Sequence, residues 1–152
     1  MALDFEKYAA KGNEFVNLVA DELQVPREMA SRVTRAVFHA LRNRLSHEES
    51  FQLMAQLPIA LKGVYVDGWK YNKDFVRLNH THDFLDEVRK EDGGQAGYDL
   101  GNDARAQKAV AAVMKAMGYF ITEGEMNDVA GMLPEELRRF ILQSISSKST
   151  VL

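Results

Sequence analysis

Apolar side chains recur every three or four residues through most of the chain, the spacing that lays one stripe along an α-helix. Phe15, Val16, Val19 and Leu23 mark a first helix. Val33, Ala36, Val37, Ala40 and Leu41 mark a second, predicted over about 26–44 because proline suits the first helical position. Ser46-x-x-Glu49 then reads as a capping box, in which the serine oxygen accepts a backbone N–H and the glutamate reaches back. It opens a short third helix with Phe51, Leu53, Met54 and Leu57 on its apolar face. Pro58 ends that helix and starts a fourth, with Leu61, Val64 and Tyr65 turned inward.

The same order returns later. Thr122-x-x-Glu125, Leu133-Pro134, Leu137 and Phe140 stand 76 residues after Ser46-x-x-Glu49, Leu57-Pro58, Leu61 and Val64. Ala112, Val113 and Ala116 match Ala36, Val37 and Ala40 at the same offset. Farther upstream the offset is 69, where "DFLDEVRK" echoes "EFVNLVAD", so the second copy holds about seven extra residues in "EDGGQAGYDLGN". Gly93, Gly94, Gly97 and Gly101 predict that this insertion is loop. The expected fold is all-α: two tandem four-helix units, about 11–65 and 81–145, packed as one compact helical bundle. A unit of about 60 residues is marginal alone, so the two should share a core within a single domain over 11–145. A connector over 66–80 follows the first unit, and Tyr65, Trp69, Tyr71 and Phe75 are expected to pack across the seam. Residues 146–152 read as a frayed tail.

With these units in place the chain resembles the family called domain of unknown function 2267. The resemblance covers about 13–143 and rests on "AVFHALRNRLSHEESFQLMAQLP" with its weaker copy ending "GMLPEEL", on "LKGVYVDGW", and on "HTHDFL". It implies a small, compact, all-helical bacterial protein in the cytoplasm. It implies no activity.

Composition narrows the function classes. The chain has no cysteine, which removes disulfides and thiolate zinc sites. A net charge of −3 argues against a general nucleic-acid binder. Asp4, Glu6 and Lys7 stand where a signal peptide needs an apolar run, and no stretch has the roughly 18 apolar residues of a membrane span. The cytoplasm is therefore the expected location, with no membrane, nucleic-acid or cofactor requirement.

Candidate chemistry is thin. "SHEESF" lacks the second histidine of a zinc-protease helix, since Phe51 stands four residues after His47. His80 and His82, with Asp83, are the weak metal candidates. In a helix the two histidines would point about 200° apart, and Thr81 reads as the N-cap of the helix that follows. "GGQAG" lacks the strand-to-helix context of a phosphate loop. The methionines, Met114, Met117, Met126 and Met132 among them, sit at apolar helical positions and read as core. No Ser/His/Asp set and no paired carboxylates assemble from the sequence. The second helix carries Arg32, Arg35, His39 and Arg42 within about 80° of arc, opposite its apolar face. Such a stripe is a solvated face or, with Trp69, an interaction face for an acidic partner. The favoured reading is a non-enzymatic protein-interaction or regulatory module that binds a partner or itself. The alternative is a small-ligand or metal-binding protein with its site at the seam near Trp69, His80 and His82.

Overall fold

A computed structural model describes residues 2–70 and 80–146. Among them the chain runs through α1 (Phe5–Leu23), α2 (Arg27–Arg44), α3 (His47–Gln56), α4 (Ile59–Val66), α5 (Thr81–Asp92), a 3-10 turn (Gly93–Gln95), α6 (Ala96–Asp99), α7 (Asp103–Met117), α8 (Glu123–Gly131) and α9 (Glu135–Ser146). The fold is an all-α bundle. No described helix is long and apolar enough to cross a membrane.

The ends of the helices follow from local chemistry. Asp4 caps α1 by accepting from Lys7 N, so the helix begins well before the first apolar stripe. Pro26 stands at the N-cap of α2, one position outside the helix it was expected to begin. Ser46 and Glu49 form the full reciprocal box at α3. At α8 only half of the box is present. Thr122 Oγ1 accepts from Glu125 N, but the Thr122 N–H donates to Gln56 Oε1 at 2.7 Å instead of to Glu125. His80, not Thr81, occupies the N-cap of α5, and the buried Thr81 Oγ1 has no hydrogen-bond partner. The glycine-rich insertion is only partly loop, because α5 persists to Asp92 and α6 follows the 3-10 turn.

α2 lies inside the bundle, packed against α1, α4, α5 and α7. α7 packs on α1, α2, α5 and α9, and α3 touches α8. One cluster of buried side chains runs through both halves of the chain, from Phe15, Val37, Leu53 and Leu61 to Val110, Met114, Leu137 and Ile141. Phe15 lies 5.6 Å from Phe38 and 5.8 Å from Phe120, which ties α1 to α2 and to the turn after α7. Met114, Met117 and Met126 are buried and Met132 is partly buried against the core, as their spacing predicts. Phe51 differs from expectation: it is 62% exposed, while Leu53 and Leu57 carry the buried face of α3. Tyr71, Phe75 and the end of the tail lie outside the described residues.

Candidate functional site

α4 has eight residues and no basic side chain in its last turn. Its final carbonyls need donors from elsewhere, and the negative end of its dipole favours a nearby cation. The basic stripe of α2 meets both needs. His39 Nε2 lies 2.8 Å from Val64 O. Arg42 Nη1 donates to Tyr65 O at 2.7 Å and to Asp67 O at 2.8 Å. Arg35 pairs with the Asp67 carboxylate at 2.8 Å on the surface. The expected solvated face is therefore largely an internal fastening. His39 and Arg42 are buried, and only Arg35 remains well exposed.

Burial lowers the His39 pKa, a neighbouring Arg42 charge adds to this, and the hydrogen bond to Val64 opposes it. The imidazole is thus neutral at pH 7, with its hydrogen on Nε2. Burial also lowers the Arg42 pKa, although guanidinium remains charged because its ordinary value lies so far above neutrality. Its Cζ sits 5.7 Å from the centroid of Trp69. Trp69 stacks on His47 at 5.5 Å and meets Tyr65 edge-on at 5.8 Å. Tyr65 is fully buried, its hydroxyl is 2.7 Å from Ser50 Oγ, and desolvation raises its pKa strongly. Trp69 was expected to bridge the seam, yet these ring contacts all come from the first half of the chain.

Arg32 leaves the stripe in another direction. Its Nε and Nη2 grip Asp99 Oδ2 and Oδ1 at 2.9 and 3.0 Å, a bidentate pair that joins α2 to the glycine-rich insertion. The Asp99 side chain is fully buried. Burial pushes Asp99 upward, but the hydrogen bonds from Arg32 win and hold its pKa low. Asp92 faces Asp99. Burial, and then the neighbouring Asp99, raise its pKa to about 7. Asp92 Oδ2 is buried without a hydrogen-bond partner, which fits a carboxyl whose protonated form is favoured. The pair is thus the carboxylate constellation that sequence spacing did not assemble. A cleft of about 470 Å³ opens beside it, between the α1–α2 turn and α7, lined by Leu23, Met29, Val33, Asp99 and Arg105.

The raised Asp92 pKa has a measurable consequence. Asp92 binds its proton more tightly in the folded state than the ordinary carboxylate value of 3.8 allows in the unfolded chain. Its contribution to stability is complete below about pH 4 and is lost as pH rises through about 7. Asp92→Asn imitates the protonated acid. Urea unfolding from about pH 5 to 8 should show a shallower fall of stability in this variant than in the wild type. His39 has the opposite sign, since its lowered pKa gives stability present above about 6.5 and lost as pH falls. An unchanged profile would place the proton on another group.

His80 and His82 have different surroundings. His80 is exposed at the N-cap of α5. His82 Nδ1 lies 2.9 Å from Asp103 Oδ2, and its Nε2 lies 3.0 Å from Asp86 Oδ2. Arg89 closes the ring by donating to Asp86 at 2.8 Å and to Asp103 at 2.7 Å. Both nitrogens face carboxylates, which favours the doubly protonated imidazole, and the hydrogen bond to Asp103 raises its pKa. Among the described residues, no three His, Asp or Glu side chains converge in a way that could hold a metal ion.

These features define an all-α bundle whose principal charged clusters fasten one helix to another. The chain belongs to the family described as an uncharacterized conserved protein (DUF2267), whose profile matches residues 12–140. No curated protein matches the chain.

Proposed function

We propose that the protein is a non-enzymatic interaction module of the cytoplasm that engages a protein partner or a second copy through α1, α3 and α4. The observation that carries this reading is the set of large apolar side chains left in solvent on these helices. Phe5 is 71% exposed, Phe51 62%, Ile59 53% and Val66 42%. α4 packs against both α1 and α3, so the three helices are neighbours. Exposed apolar groups gathered on adjacent elements mark interaction surfaces more often than isolated ones do. Arg35, the most exposed member of the basic stripe, and its partner Asp67 extend this surface next to Val66.

We also infer that 11–65 and 81–145 are copies of one ancestral unit. Support comes from the matching caps at Ser46 and Thr122 and from Leu57 and Leu133, each buried after the helix that the cap begins. A second reading, small-ligand binding at the seam, is favoured by the cleft beside Asp99 and not by the His80–His82 segment, where His82 is held by carboxylates.

The test is a paired substitution, Phe51→Asp with Ile59→Asp, in which both side chains are already exposed. Light scattering across a concentration series and capture from the native host should show the wild type associating and the double variant failing to, with unchanged circular dichroism. Association that survives the double substitution would reject this surface.

A further inference from the structure

The cleft of about 470 Å³ between the α1–α2 turn and α7 combines apolar walls with a cationic edge. Leu23, Val25, Met29 and Val33 supply the apolar side. Met29 and Val33 are buried, and Leu23 and Val25 are partly buried against the core. α7 contributes Arg105 and Lys108. These two cations stand three residues apart, so they share one face of α7, where like charges repel. Nothing on α7 answers Lys108. The positions three and four residues to either side of it are Ala104, Arg105, Ala111 and Ala112, and no acid among the described residues pairs with it. Arg105 donates its Nε–H to the Asp99 carbonyl at 3.1 Å, but its Nη2 has only a 4.0 Å approach to the Met29 sulfur. Asp99 is the one acid in the lining, and its buried carboxylate is already gripped by Arg32. Positive charge at the edge of the cleft therefore exceeds negative.

Charge and shape together select the occupant. A volume of this size accommodates a small organic ligand, and such sites pair apolar walls with a few well-placed polar groups. The terminal nitrogens of a guanidinium match the two oxygens of a carboxylate, and an ammonium beside them adds a second positive charge. The apolar side calls for a hydrocarbon body behind that carboxylate. We propose that this cleft binds an aliphatic carboxylate, with its charged head between Arg105 and Lys108 and its hydrocarbon body against Leu23, Met29 and Val33. This ligand class rests on the small-ligand reading of the cleft and is independent of the apolar surface on α1, α3 and α4.

The experiment titrates isotope-labelled full-length protein with octanoate and, separately, with octanamide, butyrate and inorganic phosphate, read by amide NMR shifts. Octanoate should give saturable shifts centred on Val25, Met29, Arg105 and Lys108. Lys108→Gln should weaken octanoate binding by about three- to fivefold, the scale of one exposed ion pair. Lys108→Glu, which sets a like charge against the carboxylate, should weaken it by at least about tenfold. Lys108 is exposed and has no ion-pair partner among the described residues, so neither variant removes a salt bridge from the fold. Lys90→Gln, at an exposed position of α5 outside the cleft, should bind as the wild type does. Butyrate should bind at least about tenfold more weakly than octanoate, because four fewer methylenes enter the apolar side. Octanamide binding as tightly as octanoate, with no loss in Lys108→Glu, would overturn the carboxylate assignment and leave the small-ligand reading standing. No saturable shift with either octanoate or octanamide would overturn both. Displacement of octanoate by equimolar phosphate would overturn the aliphatic half of the proposal, since a bare anion would then suffice.

Discussion

Replacing Arg42 with alanine should lower the stability of the protein by about 2–4 kcal/mol. The substitution removes the donor to Tyr65 O and Asp67 O at the end of α4. The Tyr65 carbonyl, left buried and unpaired, costs about 1–3 kcal/mol, the more exposed Asp67 carbonyl costs less, and the lost guanidinium–Trp69 contact adds about 0.5–2. Relief from desolvating a buried charge offsets part of this. Arg42→Met separates the two contributions, since it retains most of the packing and removes only the donors. Arg42→Lys should recover little, because an ammonium lacks the planar fork that spans two carbonyls. Urea unfolding gives the magnitude. Trp69 is the only tryptophan in the chain, so its fluorescence reports this corner directly. A wild-type midpoint in Arg42→Ala would show that water satisfies the end of α4 unaided.

The fate of the basic stripe shows what helical periodicity can and cannot reveal. The spacing correctly placed Arg32, Arg35, His39 and Arg42 on one side of α2. It said nothing about what lies on that side. Periodicity assigns a residue to a face of its own helix, and solvent is only the default occupant of a polar face. Because α2 has neighbours on several sides, that default failed. A signal was nonetheless present. α4 ends on "YVDG" with no basic residue in its last turn, so its final carbonyls and the Asp67 charge had to find cations elsewhere.

Caps and core were more legible because they are local. Ser46, Glu49 and Thr122 act within three residues, and the apolar stripe of α7 is buried as its spacing requires. The reciprocal half of the second box was not legible, since Gln56 arrives from a different part of the chain. Asp92 and Asp99 escaped for the same reason. They are seven residues apart, and a turn and a short helix fold between them. Only that turn brings their carboxyls together. The glycines predicted loop, but they did not predict that the loop would carry a buried aspartate onto Arg32. Phe51 illustrates the converse. Its helix is short, so a narrow stripe through Leu53 and Leu57 completes the buried face and Phe51 falls outside it.

Leu57→Ala and Leu133→Ala should each cost about 2–5 kcal/mol, the range for truncating a buried leucine. Leu57 is 3% exposed after α3 and Leu133 is 4% exposed after α8. Against a typical total of about 5–15 kcal/mol, either change removes a large part of the stability. The more informative quantity is the shape of the transition. Both leucines belong to the one buried cluster that runs through the two halves of the chain. Phe15 adds a direct tie, because it packs on Phe38 of the first half and on Phe120 of the second. Damage at Leu133 should therefore be felt at Trp69, and Leu133→Ala should shift the fluorescence and circular dichroism transitions together. Coincident curves are what two-state unfolding of a single core requires. If Leu133→Ala produced an early loss of helix while the Trp69 transition stayed at the wild-type midpoint, the halves would be melting separately. The shared core would then contribute less than the packing within each half.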